Sequence, residues 1–180
     1  MGYSFRTRIE PVSDGDIAVV QMKDLADDNT VNLDDLVKIS MQEVKERHFL
    51  KEGDLIFRSR GLLNTSAIFQ GGIKNAVVAA PLIRIRVADT GKVLPEYLNW
   101  YIAQKDAQIF LSSRASSTSH KMIGVEAIEG LEVSLPSLDA QKNIVQLAEL
   151  AYRERTLMNT LAIKYEQRIT KILMQYAKGE

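Results

Sequence analysis

The chain has 180 residues, is 46% hydrophobic, and balances 23 basic against 23 acidic side chains. That length suits one domain plus an appendage. The lack of cysteine excludes disulfides and thiolate chemistry and fits a cytoplasmic setting, while no apolar run reaches membrane-spanning length.

The opening MGYSFRTRIE has no signal-peptide apolar region, and Arg6 stands where a myristoylation site needs Ser or Thr. Asp14-Gly15-Asp16 reads as a turn and Ile17–Val20 as a short apolar strand. A helical turn is expected in 22–28 and a short helix in 43–50. Glu52-Gly53-Asp54 is a hairpin turn leading into a strand over 55–59. Alternation puts Ile56, Arg58 and Arg60 on one side of that strand.

Gly71-Gly72 interrupts the chain, and AVVAAPLIRIRV (76–87) then reads as one strand, with Pro81 at an edge or bulge. Ile83, Ile85 and Val87 share one face; Arg84 and Arg86 share the other. If the two strands lie in one sheet, four guanidiniums share a surface; otherwise each faces water. Pro95 opens a helix expected over 96–111, with Leu98, Tyr101, Ile102 and Ile109 on its buried face and Trp100 as packing. SSRASSTSHK (112–121) is a Ser-rich loop, and IEGLEVSLP (128–136) is expected to return to strand.

From Ser137 to Lys178 there is no Gly or Pro. A helix of about 40 residues would be roughly 60 Å long, more than a domain built from the rest of the chain can cover, so part of it is expected to project. Ser137 suits the N-cap and Asp139 the first turn. A heptad frame from Ile144 gives apolar a positions at Ile144, Ala151, Met158, Tyr165 and Ile172. Only Leu147 and Leu161 among the d positions are apolar, and Ala148, Ala162, Ile169 and Tyr176 fall at e. This is a broad amphipathic face with coiled-coil character. It is interrupted at Arg153-Glu154-Arg155, so the first half is expected to pack on its own domain and the second on another chain.

Charge is unevenly spread. Residues 1–50 hold six basic and ten acidic side chains, whereas 58–121 hold nine basic and three acidic. The second stretch fits a modest nucleic-acid contact or a solvated face. Catalytic signatures are missing: no GxGxxG, no phosphate loop, no GxSxG elbow, and no metal-ligand spacing around His48 or His120.

Three stretches together resemble half of a specificity subunit of a type I restriction–modification system. GDIAVVQMKDL (15–25) is similar to the opening of that family's target recognition domain. LKEGDLIFRSRG (50–61) resembles its Leu-x-x-Gly-Asp-hydrophobic hairpin. LPEYLNWYIAQ (94–104) and IEGLEVSLPSLDAQKNIVQL (128–147) resemble the domain's end and its entry into a long helix, where the family reads Leu-Pro-Pro-Leu-x-x-Gln-x-x-Ile.

The resemblance implies a mixed α/β (α+β) fold, with a target recognition domain at 1–136 and a dimerisation and methyltransferase-docking helix at 137–180. The family usually carries two such halves, so two copies are expected to pair their helices antiparallel and read a bipartite palindromic site on double-stranded DNA. The resemblance also implies that the chain is not an enzyme and holds no cofactor. S-adenosylmethionine would belong to a partner methyltransferase subunit and cleavage to a motor-nuclease subunit. The DNA-facing candidates are Arg58, Arg60, Lys74, Arg84, Arg86, Arg114, His120 and Lys121, with Arg58, Arg60 and Arg114 favoured because each adjoins a turn or loop. The helix-face candidates are Ile144, Leu147, Ala151, Met158, Leu161, Tyr165, Ile169, Ile172 and Tyr176. The competing readings are an assembly module that touches no DNA and an enzyme with a site near Asp54 and His120.

Overall fold

The computed structural model describes residues 1–5, 8–26, 30–41, 44–61, 64–116 and 122–179. The chain divides into two compact units, 1–141 and 142–180. The architecture is mixed α/β, as expected, and is built on two three-stranded sheets.

The first sheet has the order β2-β1-β5, from β1 (Ile17–Val20), β2 (Val37–Ile39) and β5 (Ala76–Val78). β1 runs antiparallel to β2 and parallel to β5. All four β1 residues are buried, which is why this strand is a continuous apolar run rather than an alternation. The second sheet has the order β4-β3-β6, from β3 (Leu55–Phe57), β4 (Ser66–Ile68) and β6 (Ile83–Ile85), all antiparallel.

Strand alternation divides the apolar side chains among three cores. Ala18 and Val20 pack with Val78, Ile56, Ala67 and Leu82 in a cluster shared by both sheets. The opposite parity of the first sheet, Ile17, Val19 and Val77, packs with Phe5 and Phe49. The opposite parity of the second sheet, Leu55, Phe57 and Ile83, packs with Ile102, Leu111, Ile123 and Ala127. Each sheet is therefore covered on both faces. Gly15 marks a close approach: a Cβ there would sit 2.5 Å from the Ile39 nitrogen, so the turn before β1 lies directly on β2.

Several expectations need correction. Residues 76–87 are not one strand: the chain turns at Ala80-Pro81, and β5 and β6 belong to different sheets. The expected helix at 96–111 is two, α1 (Pro95–Ile102) and α2 (Lys105–Ser113). They bury different residues, Tyr97 and Ile102 in α1 and Ala107 and Leu111 in α2, while Ile109 is exposed. The stretch read as a strand at 128–136 contains the end of a short helix, α3 (Val125–Glu129), and then irregular chain. Among the described residues, the helical turn expected within 22–28 is the 3-10 turn Met22–Asp24, and the short helix expected at 43–50 is a single 3-10 turn, Glu46–His48.

The long helix α4 runs from Leu138 to Lys178, 41 residues without a break. Ser137 Oγ accepts the Ala140 N–H at 3.3 Å, an N-cap bond that satisfies one of the helix's orphan donors. In the first turn, Gln141 is fully buried within the globular unit. Its Oε1 accepts the Leu94 N–H at 2.9 Å, and its Nε2 donates to the carbonyls of Lys92 and Pro136 at 2.8 and 2.9 Å. Beyond it, only Ile144, Val145, Ala148 and Ile172 are half-buried and every other described side chain to Gly179 is exposed. On the first half of the helix Leu147 and Leu150 are exposed. Among the described residues, no helix is long and apolar enough to cross a membrane.

Candidate nucleic-acid interface

The two strands that alternate Arg with apolar residues do lie side by side. β3 and β6 pair so that Ile56 faces Arg84. Residues opposite each other across a ladder share a face, so Arg58, Arg84 and Arg86 belong to the side that carries Ile56 into the inter-sheet core. At the margin of that core, each guanidinium meets protein acceptors.

Arg58 donates from Nη2 to the Leu25 carbonyl at 2.6 Å. Arg84 donates from Nη1 to the carbonyls of Arg47 and Phe49, at 2.7 and 3.1 Å. Arg86 grips Asp54 with two bonds of 2.6 Å, from Nε and Nη2, and adds a third to the Phe49 carbonyl at 3.0 Å. Asp54 is 1% exposed and also accepts the Lys51 N–H at 2.8 Å. The bond to Asp54 holds the Arg86 pKa above its usual value despite partial burial. Arg84 is shifted the other way, first by burial and then by Arg86. The three arginines thus act as clips. They tie the second sheet to loops 33 to 37 residues away in sequence, at 25, 47 and 49.

A second group has a different setting. Arg60 is exposed and forms an isolated bridge with Met122, its Nε 3.4 Å from Met122 Sδ. The next residue, Ile123, is buried and donates its N–H to the Ser59 carbonyl at 2.8 Å. Ser116 and Met122 bond in both directions: Ser116 N–H to the Met122 carbonyl at 3.1 Å, and Met122 N–H to Ser116 Oγ at 3.2 Å. These bonds tie Ser116 to Met122, the described residues on either side of 117–121. Arg114, the C-cap of α2, stacks over the Phe110 ring at 3.7 Å and is exposed, a cation–π contact that orients the guanidinium and leaves its edge open. Arg60 and Arg114 therefore flank the two ends of the segment that carries His120 and Lys121. His120 and Lys121 themselves lie outside the described residues.

Lys74 is exposed in the β4–β5 connection, next to Asn75, whose φ of 56° forms the turn. The structure thus sets Arg60 beside Met122 and Arg114 at the end of α2, and ties Arg58, Arg84 and Arg86 to acceptors of the protein itself. Three features escaped sequence reading: the Asp54 pairing, the burial of Gln141, and the grouping of Lys45, Arg47 and His48 on one short turn. The Leu-Pro-Ser-Leu-Asp-Ala-Gln stretch marked Gln141, since a Gln in the first turn of a long amphipathic helix stands apart from its solvated face.

Among the described residues, no group of three or more His, Asp or Glu side chains is placed to hold a metal ion. The family model for the type I restriction modification DNA specificity domain matches residues 1–176. A solved structure, the crystal structure of the HsdS subunit from Thermoanaerobacter tengcongensis, is similar with a TM-score of 0.70 and 22% sequence identity. The match covers 89% of this chain and 42% of that one, so the likeness is one of fold, over less than half of that subunit's length. No curated protein sequence matches.

Proposed function

We propose a function from one premise: the chain belongs to the type I restriction modification DNA specificity domain family. On that premise it reads a DNA sequence on behalf of partner subunits. Methyl transfer, with S-adenosylmethionine, falls to a methyltransferase subunit and cleavage to a motor-nuclease subunit, all in the cytoplasm. The DNA contact is made by Arg60, Arg114, His120 and Lys121 around the Ser-rich loop, with Lys74 contributing charge. Arg is the usual bidentate reader of guanine in the major groove, and a loop flanked by two exposed arginines suits a groove. Arg58, Arg84 and Arg86 frame this surface, since reaching DNA would cost them the carbonyl and carboxylate bonds they already hold.

The long helix supplies the second half of the proposal. Leu147, Met158, Leu161, Tyr165 and Tyr176 are all more than 60% exposed. At about 25 cal/mol per Å² of apolar surface removed from water, such a face favours a helical partner. Two copies pairing α4 antiparallel through residues 144–176 form a self-complementary two-fold dimer that carries a reader at each end and matches a bipartite palindromic site. The same helix pair offers the docking surface for the methyltransferase.

The observation that carries this reading is the family match across nearly the whole chain. The test is DNA binding by the chain co-purified with its methyltransferase, measured across salt, together with sedimentation of the chain alone. The reading expects steep salt dependence and a dimer at micromolar concentration. A complex that forms through the helix but shows no salt-dependent DNA binding would leave an assembly module instead.

A further inference from the structure

We propose that the turn Lys45–His48, with the Tyr3 and Phe5 rings beside it, is a second docking surface for the phosphate backbone of duplex DNA. The inference rests on the DNA-reading function above and extends it to a part of the chain whose composition is acidic.

The 3-10 turn Glu46–His48 follows Lys45 as N-cap. Lys45, Glu46 and Arg47 are exposed and His48 is half-buried. Tyr3 meets His48 edge-on, with ring centroids 5.5 Å apart, and Phe5 lies 4.9 Å from Tyr3. Arg84 fastens the turn through its backbone, bonding the carbonyls of Arg47 and Phe49. The Arg47 side chain takes no part in that fastening. Its Nε reaches His48 Nε2 at 3.5 Å, the far limit of a hydrogen bond.

The charges that shift His48 are all cationic: Arg47, Arg84, Lys45 and the amino terminus. With burial, they lower its pKa below the ordinary value. Among the described residues, the other ionisable groups around it are Tyr3, the exposed Glu46 within the turn, and Arg86 and Asp54 next to Arg84. Cations gathered on a neutral imidazole are mutually repulsive until an anion arrives. A phosphate oxygen relieves that repulsion, accepts hydrogen bonds from Lys45 and Arg47, and favours the protonated imidazole as a further donor. The flanking rings suit the apolar sugar edge. Arg84, which fastens the turn, pairs from β6 with Ile56 on β3.

The experiment uses the complex with its methyltransferase and a mixed-sequence 30-base-pair duplex as probe. The double variant Lys45→Gln/Arg47→Gln should keep its fold, since neither side chain is buried and the turn is held through its carbonyls. Its plot of log affinity against log salt should be shallower by about 1–2, near 0.9 for each phosphate that is no longer neutralised. In the wild type, the His48 imidazole followed by NMR should titrate at higher pH with duplex present than without. An unchanged slope, with Arg60→Ala and Arg114→Ala still weakening binding, overturns this inference and leaves the reading of the Ser-rich loop standing. A His48 shift produced by inorganic phosphate but not by the duplex overturns it as well. A wild-type complex that binds no DNA overturns both.

Discussion

The globular unit and the long helix draw on the same apolar residue types and treat them in opposite ways. Within residues 1–141, Leu55, Phe57, Leu82 and Ile102 are all under 3% exposed. Along residues 142–178, Leu147, Leu161 and Tyr165 are 69%, 65% and 65% exposed. One region has buried its apolar side chains among its own residues, and the other leaves them exposed along the helix. The arginines repeat the contrast at smaller scale: Arg58, Arg84 and Arg86 are bonded to the protein's own carbonyls and carboxylate, while Arg60 and Arg114 are exposed.

The sharpest way to break the first contrast pairs Phe57→Ala with Leu161→Ala. Phe57 is completely buried, so its truncation should cost about 3–5 kcal/mol of unfolding free energy. Leu161→Ala should change monomer stability by no more than about 0.5 kcal/mol and instead raise the dimer dissociation constant. Denaturant titration at low concentration, with sedimentation at high concentration, separates the two. Equal destabilisation of the isolated monomer would mean that the helix face is not waiting for a partner.

The arginine contrast yields the next largest effect. Asp54→Ala strips two bonds from Arg86 and one from the Lys51 N–H. It should cost about 1.5–3 kcal/mol, the range for hydrogen bonds to a charged group. Arg60→Ala should leave the unfolding free energy within about 0.5 kcal/mol of wild type while weakening DNA binding. If Asp54→Ala unfolds normally but alters DNA affinity, the clip and reader assignments are interchanged.

These contrasts also mark what the sequence disclosed. The strand Ile17–Val20, the Ser137 cap and the unbroken helix behind it were legible because each rests on local chemistry: a short apolar run, a capping hydroxyl, and 42 positions without Gly or Pro. The family resemblance was legible through the order of weak motifs. The split of 76–87 was not, because Pro81 announces an interruption without saying that the next strand joins another sheet. The single helix expected at 96–111 is two because Tyr97 and Ile102 form one buried stripe and Ala107 and Leu111 another, and one periodicity spanning both leaves Ile109 on the wrong side. For the arginines, parity correctly named the shared face of Arg58, Arg84 and Arg86. It was silent on their acceptors, which lie more than 30 residues away: the Asp54 carboxylate for Arg86, and otherwise backbone carbonyls, which carry no residue-type signal.

Gln141 tests the junction between the two regions. Gln141→Ala would leave the Leu94 N–H and the Lys92 and Pro136 carbonyls without the partner they have now. It should destabilise the globular unit by about 1–3 kcal/mol, the desolvation penalty of an unsatisfied buried group. The Leu94 amide should also lose protection from hydrogen exchange. Loss of stability with Leu94 still protected would place the contribution of Gln141 elsewhere.

The smallest effect belongs to His48, and its sign separates the free protein from the DNA-bound one. Burial and the neighbouring cations hold its folded-state pKa below the ordinary 6.5. As pH falls just below 6.5, the unfolded chain takes up a proton that the folded chain still refuses, so stability declines with acidification over that window and His48 contributes nothing above about pH 7.5. Solvent screening at a half-buried ring keeps the amount small. Thermal melts from about pH 7.5 to about pH 5.5 should show wild type losing slightly more stability than His48→Gln, which lacks the titrating group. On DNA the sign reverses: a phosphate beside the imidazole raises its pKa, binding takes up the proton, and wild-type affinity should rise on acidification more than that of His48→Gln. Opposite pH slopes from one side chain are hard to obtain from a ring that merely packs against Tyr3; parallel slopes, or none in the bound state, would return His48 to a packing role.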